Sequence, residues 1–229
     1  MVAVEMLNKS RNIVLTYDDG PEPSGTHEVL TALADTETTA TFFVLLTRTR
    51  RNPSIVGEIL AQGHEVALHG PDHQSIHEMS ALEVETRSRD AKHELEDLID
   101  RPVRWFRPPY GNQSTDSWLG IIRAGLEPVH WSVQCVDWED SRSEDYSQYM
   151  TEVKAQQEPG AIILCHDNCA LESIDNAYPV KNPVFNREKL ARMIIGNFQE
   201  KGFTCCSLER ALATGKPIYQ PWPITSSQQ

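Results

Sequence analysis

Asn12-Ile13-Val14-Leu15-Thr16-Tyr17-Asp18-Asp19-Gly20-Pro21 is the stretch that decides the fold. Residues 12–17 are short, apolar and rich in branched side chains, as buried parallel strands are. They end abruptly in two carboxylates and a Gly-Pro turn. Turn chemistry alone would explain the last four residues as an acidic turn. Two adjacent carboxylates repel, however, and a strand end aims them at the mouth of a barrel. A cation between or beside them would account for the pair.

Outward from this point the pattern repeats. Residues 40–46, 65–69, 103–107, 128–133, 161–166 and 203–207 read as further strands, and 25–34, 53–62, 81–99, 114–124, 144–157 and 187–201 as helices. Ser80 and Glu83 have capping-box spacing, and Pro53 suits a first helical position. Gly63, Gly125 and Gly202 each fall between a helix and the next strand, where a left-handed cap is needed. About seven βα units without an intervening linker predict one α/β domain. A closed or partly open barrel is the first expectation, and an open doubly wound sheet the alternative. The barrel is expected over 12–214, after a lead-in at 1–11. Residues 215–229 are expected to wrap the surface or fray.

Hydrophobic residues make up 39% of the 229 and charged residues 24%, which excludes disorder. The formal net charge of −12 argues against nucleic acid or an anionic membrane as partner, since phosphates need clustered Lys and Arg. No window reaches the ~18 apolar residues of a membrane span. Five cysteines without C-x-x-C spacing read as reduced thiols. Residues 1–7 lack the basic start and long apolar stretch of a secretory signal. As it stands the sequence therefore reads as cytoplasmic; an extracellular place would follow only from a trimmed start.

Four more polar clusters follow expected strands. In His69-Gly70-Pro71-Asp72-His73 the Gly-Pro pair forbids an ordinary helix, so His69 and His73 lie on a loop. Imidazoles suit zinc and other borderline divalent ions, and two His with one Asp leave an open coordination position, as in catalytic sites. His64 and His77 read as ordinary surface histidines. Arg107-Pro108-Pro109-Tyr110-Gly111 is either a proline-rich turn or a guanidinium held beside a carboxylate. In the segment from Trp131 to Trp138, the tryptophans either pack the core or, for Trp138, wall a sugar cleft. Leu164-Cys165-His166-Asp167 ends the sixth strand. Asp18, Asp19, His69, Arg107, Asp137 and His166 thus share the carboxyl ends of the strands, the active-site face of α/β barrels.

From about residue 12 to 212, the set TYDDGP, HGPDH, RPPYG, Asp137-Trp138 and LCH resembles the polysaccharide deacetylases of carbohydrate esterase family 4, or NodB-homology domain. The resemblance implies a single-domain distorted (β/α) barrel that removes N- or O-acetyl groups from an acetylated carbohydrate with a divalent metal, Zn2+ first and Co2+ or Ni2+ as alternatives. It implies Asp18 as base, oriented by Arg107, and Asp19, His69 and His73 as metal ligands. It further implies the Tyr110 N–H at the oxyanion, His166 as acid, and Leu164 beside the acetyl methyl. Three positions depart from the family pattern. Tyr17 stands where Phe is commoner, and Gly70 replaces a Ser or Thr. Gln134 stands where an Asp often begins the fourth motif, which leaves Asp137 as the candidate partner of His166. A small-amide hydrolase on the same scaffold and an inactive carbohydrate binder are the competing expectations. The loop over 167–183 is read as either a lid or a plain surface excursion.

Overall fold

The computed structural model describes residues 2–8, 11–138, 146–156, 158–169 and 185–221. The chain starts with β1 (Val2–Asn8), β2 (Asn12–Asp18), α1 (Pro23–Asp35), β3 (Thr41–Val44), α2 (Leu46–Arg51), α3 (Pro53–Ala61) and β4 (Glu65–Leu68). It continues with α4 (Ala81–Ile99), β5 (Trp105–Phe106), α5 (Thr115–Arg123), β6 (Glu127–Pro128), β7 (Val133–Gln134) and α6 (Thr151–Ala155). Last come β8 (Ile162–His166), α7 (Arg187–Glu200), β9 (Thr204–Cys206), α8 (Leu208–Leu212) and β10 (Gly215–Gln220).

The main sheet runs β6-β5-β4-β3-β2-β8-β7, with β9 also paired to β2. Every pairing in it is parallel. The sheet curls into an incomplete barrel whose outer strands, β6 and β7, are consecutive in the chain. Residues 129–132 carry the chain across the gap. The Val129 N–H donates to the Phe106 carbonyl at 2.9 Å, and the Ser132 N–H to the Ile162 carbonyl at 3.0 Å. The single strand expected over 128–133 is therefore two short strands on opposite edges.

Alternation along the strands builds two cores. Ile13, Leu15 and Tyr17 join Phe42, Val44 and Ile163 beneath the helices, whereas Val14 joins Phe43, Ala67, Trp105, Val129 and Ile162 inside the barrel. A strand covered on both faces must be apolar on both, which is why residues 12–17 read as one continuous run. The register pairs Val14 with Ile162, Thr16 with Leu164 and Asp18 with His166. The interior thus changes from apolar to polar on approaching the carboxyl ends.

The helix punctuation largely follows the sequence. Ser80 Oγ accepts from the Glu83 N–H at 3.3 Å, and a reciprocal capping box forms at Ser114 and Ser117. Gly63, Gly125 and Gly202 have φ of 81°, 72° and 75°. Other expectations need correction. Leu46, expected in a strand, opens α2, whose first N–H groups, from Leu46 and Thr47, donate to the Gly70 and Pro71 carbonyls at 3.1 and 3.0 Å. So short a helix is set by these loop contacts rather than by an apolar period. Of the helix expected over 144–157, the helical part is Thr151–Ala155. β1 and β10 pair antiparallel, from Val2 with Gln220 to Asn8 with Gly215, so residues 215–220 form a strand at the surface rather than fraying, and 222–229 lie outside the described residues. From residue 170 onward, the loop read as a lid lies outside the described residues. Among the described residues no helix is long and apolar enough to cross a membrane.

His64 is not a surface histidine. It is 4% exposed, its ring lies 5.7 Å from that of Phe42, and neither ring nitrogen has a hydrogen-bond partner among the described residues. Burial pushes its pKa down to about 4. The unfolded chain then binds the proton first on acidification, so stability falls as pH drops from the ordinary histidine range toward 4. In urea denaturation, His64→Phe is expected to reduce the stability lost between pH 7 and 5 by about 2 kcal/mol. Equal losses in variant and wild type would show that the buried ring is protonated without penalty.

Candidate active site

Adjacent Asp18 and Asp19 point to different partners because the backbone turns left-handed between them, with φ of 79° at Asp19. Asp18 Oδ1 accepts from Arg107 Nη1 at 2.7 Å. Arg107, 0% exposed, also donates to Thr16 Oγ1 at 2.8 Å and to the carbonyls of Val129 and His130 at 3.2 and 3.0 Å. Its guanidinium lies 4.1 Å from the Phe43 ring centroid. A buried cation is tolerated when most of its donors are occupied and its charge is paired; these four bonds use four of the five N–H groups of Arg107, and Asp18 supplies the counter-charge.

Asp19 Oδ1 lies 3.3 Å from His69 Nε2 and 3.3 Å from His73 Nε2. His69 Nδ1 donates to the Arg107 carbonyl at 2.8 Å, which fixes the tautomer and turns the Nε2 lone pair toward Asp19. Burial lowers His73 to about 4, so the ring is neutral at ordinary pH, the form that binds metals. Burial opposes the charge on Asp19, but the close approach of His69 and the positive charge of nearby His166 outweigh it and hold the carboxyl well below its usual range. The ligand atoms of Asp19, His69 and His73 lie within 4.8 Å of one another, the spread of a three-ligand metal site. His73 packs edge-on against Tyr110, with ring centroids 4.3 Å apart.

Gly70 has a local explanation. Its φ is 113°, and an added Cβ would sit 2.9 Å from the Asp72 carbonyl oxygen. The position excludes a Ser or Thr, and α2 holds the loop through backbone bonds instead. Arg87 further grips Asp72 at 2.8 and 3.0 Å.

Across the barrel mouth, His166 Nδ1 lies 2.7 Å from Asp137 Oδ1, and the His166 N–H donates to Asp137 Oδ2 at 2.8 Å. Burial by itself would lower the imidazole's pKa, but Asp137 overrides it and lifts the group to about 9. Gln134 is turned away: its backbone N–H and side-chain amide both donate to Glu152, at 3.1 and 3.4 Å. Trp138 meets His166 edge-on at 5.3 Å. Leu164 is buried two positions before His166, on the same face of β8 and in register with Thr16. Tyr110 stands at the mouth, 55% exposed, at φ 60° after the two prolines.

The sequence did not single out Thr16 or Asp167. Thr16 Oγ1 donates to the Ile163 carbonyl at 2.6 Å while accepting from Arg107. Asp167 accepts from the Gly20 N–H at 2.9 Å and Thr26 Oγ1 at 2.6 Å, so it ties the turn after Asp19 to the end of β8. A Cβ on Gly20 would fall 2.1 Å from Asp167 Oδ2, and one on Gly25 1.9 Å from the Asp167 carbonyl oxygen. The position of Asp167 beside His166 was the available signal; its contact with Thr26 has none in one dimension.

A family model described as "Polysaccharide deacetylase" matches residues 7–129. A chitooligosaccharide deacetylase of Sinorhizobium fredii is 34% identical over 200 residues, covering 86% of this chain and 90% of that protein. A peptidoglycan-N-acetylglucosamine deacetylase of Bacillus cereus is 32% identical, covering 72% of this chain and 77% of the other. A crystal structure of a peptidoglycan N-acetylglucosamine deacetylase shares the fold at a TM-score of 0.79 and 24% identity, covering 94% of each chain. So does a CE4-family pseudoenzyme of Bacillus anthracis, at a TM-score of 0.76 and 19% identity, covering 91% of this chain and 68% of that one. With the family model spanning more than half of its residues and a relative matching it almost end to end, this chain belongs to the polysaccharide deacetylase family.

Proposed function

We propose that the protein is a metal-dependent deacetylase that hydrolyses the acetamide of an N-acetylated sugar oligomer or polymer. Asp18 is the base, His166 the acid, and Asp19, His69 and His73 the metal ligands. The observation that carries this is the division of labour between neighbouring carboxylates: Asp18 is bound to Arg107 at 2.7 Å, and Asp19 faces two imidazoles at 3.3 Å. A pseudoenzyme shares the fold, so the fold alone supports no activity; these side chains do. The names of the chitooligosaccharide and peptidoglycan-N-acetylglucosamine deacetylases support a sugar substrate.

One carboxylate oxygen and two neutral imidazoles suit a borderline divalent ion with an open position. Zn2+ is the proposed ion, and Co2+ or Ni2+ can take the same donors. When bound, it supplies Lewis acidity, acidifying a water and polarising the substrate carbonyl. Asp18, restrained by Arg107, takes the proton of the attacking water. The Tyr110 N–H, presented by the turn after Pro108-Pro109, donates to the oxyanion; a donor of this kind is worth about 10²–10³ in rate. His166, gripped through Nδ1 by Asp137, offers Nε2–H to the leaving amine. Leu164 lines the space for the acetyl methyl, and Trp138 walls the cleft on the His166 side. The departures from the family pattern at Gly70 and Gln134 have local explanations, and neither removes a group this chemistry uses.

Acetate release from N-acetylglucosamine oligomers by zinc- or cobalt-loaded protein is the direct test. Asp18→Asn is expected to lower kcat about 10²–10⁴-fold with metal content unchanged. Wild-type turnover in that variant would exclude Asp18 as base. His73→Ala is expected to lose metal and activity together, and stoichiometric metal at low free metal would remove His73 from the ligand set. The acid must be protonated, so the rate should fall on the alkaline side as pH passes about 9, where His166 loses its proton. Asp137→Asn should move that fall to lower pH; an unmoved limb would assign it to another group.

A further inference from the structure

A second cluster of side chains with the donor atoms to hold a metal lies behind the sheet. Cys135, just past β7, and Cys165 of β8 are neighbours, with the Cys135 N–H donating to the Leu164 carbonyl at 2.9 Å. Both belong to the core under the helices rather than to the barrel interior. Their sulfurs and a carboxylate oxygen of Asp137 lie within 4.8 Å of one another. Exposures are 0%, 1% and 1% for Cys135, Cys165 and Asp137. Tyr17 supplies an independent sign of a ligand. Its side chain lines the same cavity of about 10 Å³ as Asp137 and Cys165, and its buried hydroxyl has no hydrogen-bond partner among the described residues. Leu190, Ala191 and Ile194 of α7 cover that cavity, and Arg187 and His166 complete its polar side.

We propose that Cys135, Cys165 and Asp137 form a second metal site, for a thiophilic d10 ion, with the Tyr17 hydroxyl as the adjoining oxygen. Two sulfurs select zinc, cadmium or copper(I) over magnesium or manganese. Binding releases the two thiol protons as the metal–sulfur bonds form, and no electrons move. The Cys135 thiol is pushed up by its hydrogen bond to Cys165 and by burial, and burial lifts Cys165 against that bond. The thiols therefore stay protonated until an ion of high sulfur affinity displaces the protons. A carboxylate offers about four lone-pair sites, and His166 occupies two of Asp137's, which leaves room for the ion. The consequence for catalysis rests on the proposed role of His166: the two released protons balance the ion's charge, so the effect is local, the ion drawing electron density from the Asp137 carboxylate it shares with His166 and weakening the hold on the imidazole proton.

Cadmium titration of the holoprotein, carrying one zinc, tests this. The readouts are sulfur-to-cadmium charge-transfer absorption, zinc released to a chromophoric indicator, and acetate release. One equivalent of cadmium is expected to produce the sulfur band with zinc retained, and to lower acetate release about tenfold or more. Cys135→Ser and Cys165→Ser are each expected to abolish the band while keeping the zinc and the wild-type circular dichroism; Cys135→Ala replaces the first if serine unfolds the core. No band in the wild type, or a band persisting in both variants, overturns the site. Zinc release without a sulfur band also overturns it, because cadmium has then taken the histidine centre. A band with unchanged acetate release keeps the site and overturns its link to His166.

Discussion

The Arg107 guanidinium is the point on which the barrel mouth depends. It is fully enclosed and charged, and desolvating such a group costs several kcal/mol. That cost is offset by four hydrogen bonds, one of them to the Asp18 carboxylate, and by the faces of Phe43 and Trp131. Two of the bonds reach the carbonyls of Val129 and His130, in the stretch that bridges the open edges of the sheet. The others reach Thr16 and Asp18 on the central strand. One side chain therefore satisfies backbone groups that no ladder reaches and anchors a carboxylate in a place where an unpaired charge would not be stable.

A second constraint follows from the two-sided burial of β2. Its odd residues serve the core under the helices, and its even residues serve the barrel interior. The switch from Val14 to Thr16 to Asp18 is a gradient along one strand, repeated beside it in Ile162, Leu164 and His166. Pairing in register brings Asp18 to His166 without any long-range device. The same alternation sends Tyr17 and Cys165 to the rear, one peptide away from the polar mouth. Groups on opposite faces of the sheet are thus covalent neighbours, and Asp137 is the carboxylate that touches both environments.

Much of this was legible in the chain. Short apolar runs ending in polar residues identified the strands, and five such endings gave the candidate residues that the fold brings to one mouth, because side-chain period and strand ends are local properties. What escaped notice depended on distance. Residues 128–133 carry a strand-like pattern, but which neighbours each half pairs with is decided by the closure of the sheet. The pairing of β1 with β10 joins the most remote parts of the chain. His64 follows a glycine cap and reads as surface by composition; only the packed Phe42 ring shows otherwise. Gln134 drew attention as a missing carboxylate, and Asp137, three residues on and already the expected alternative, is the group that faces His166.

The left-handed backbone at Asp19 bears on how such a site changes over time. Asp18 and Asp19 are chemically identical and adjacent, yet they cannot trade places. One hangs from a regular strand, and the other from a φ of 79° that turns it toward the loop of His69 and His73. The pair therefore holds no redundancy. If drift replaces either carboxylate, its neighbour cannot turn to do both jobs. Loss of Asp18 also leaves the buried Arg107 charge without its counter-ion, whereas loss of Asp19 touches neither core. At Asp19 a fold built this way can lose function in one step while keeping its shape.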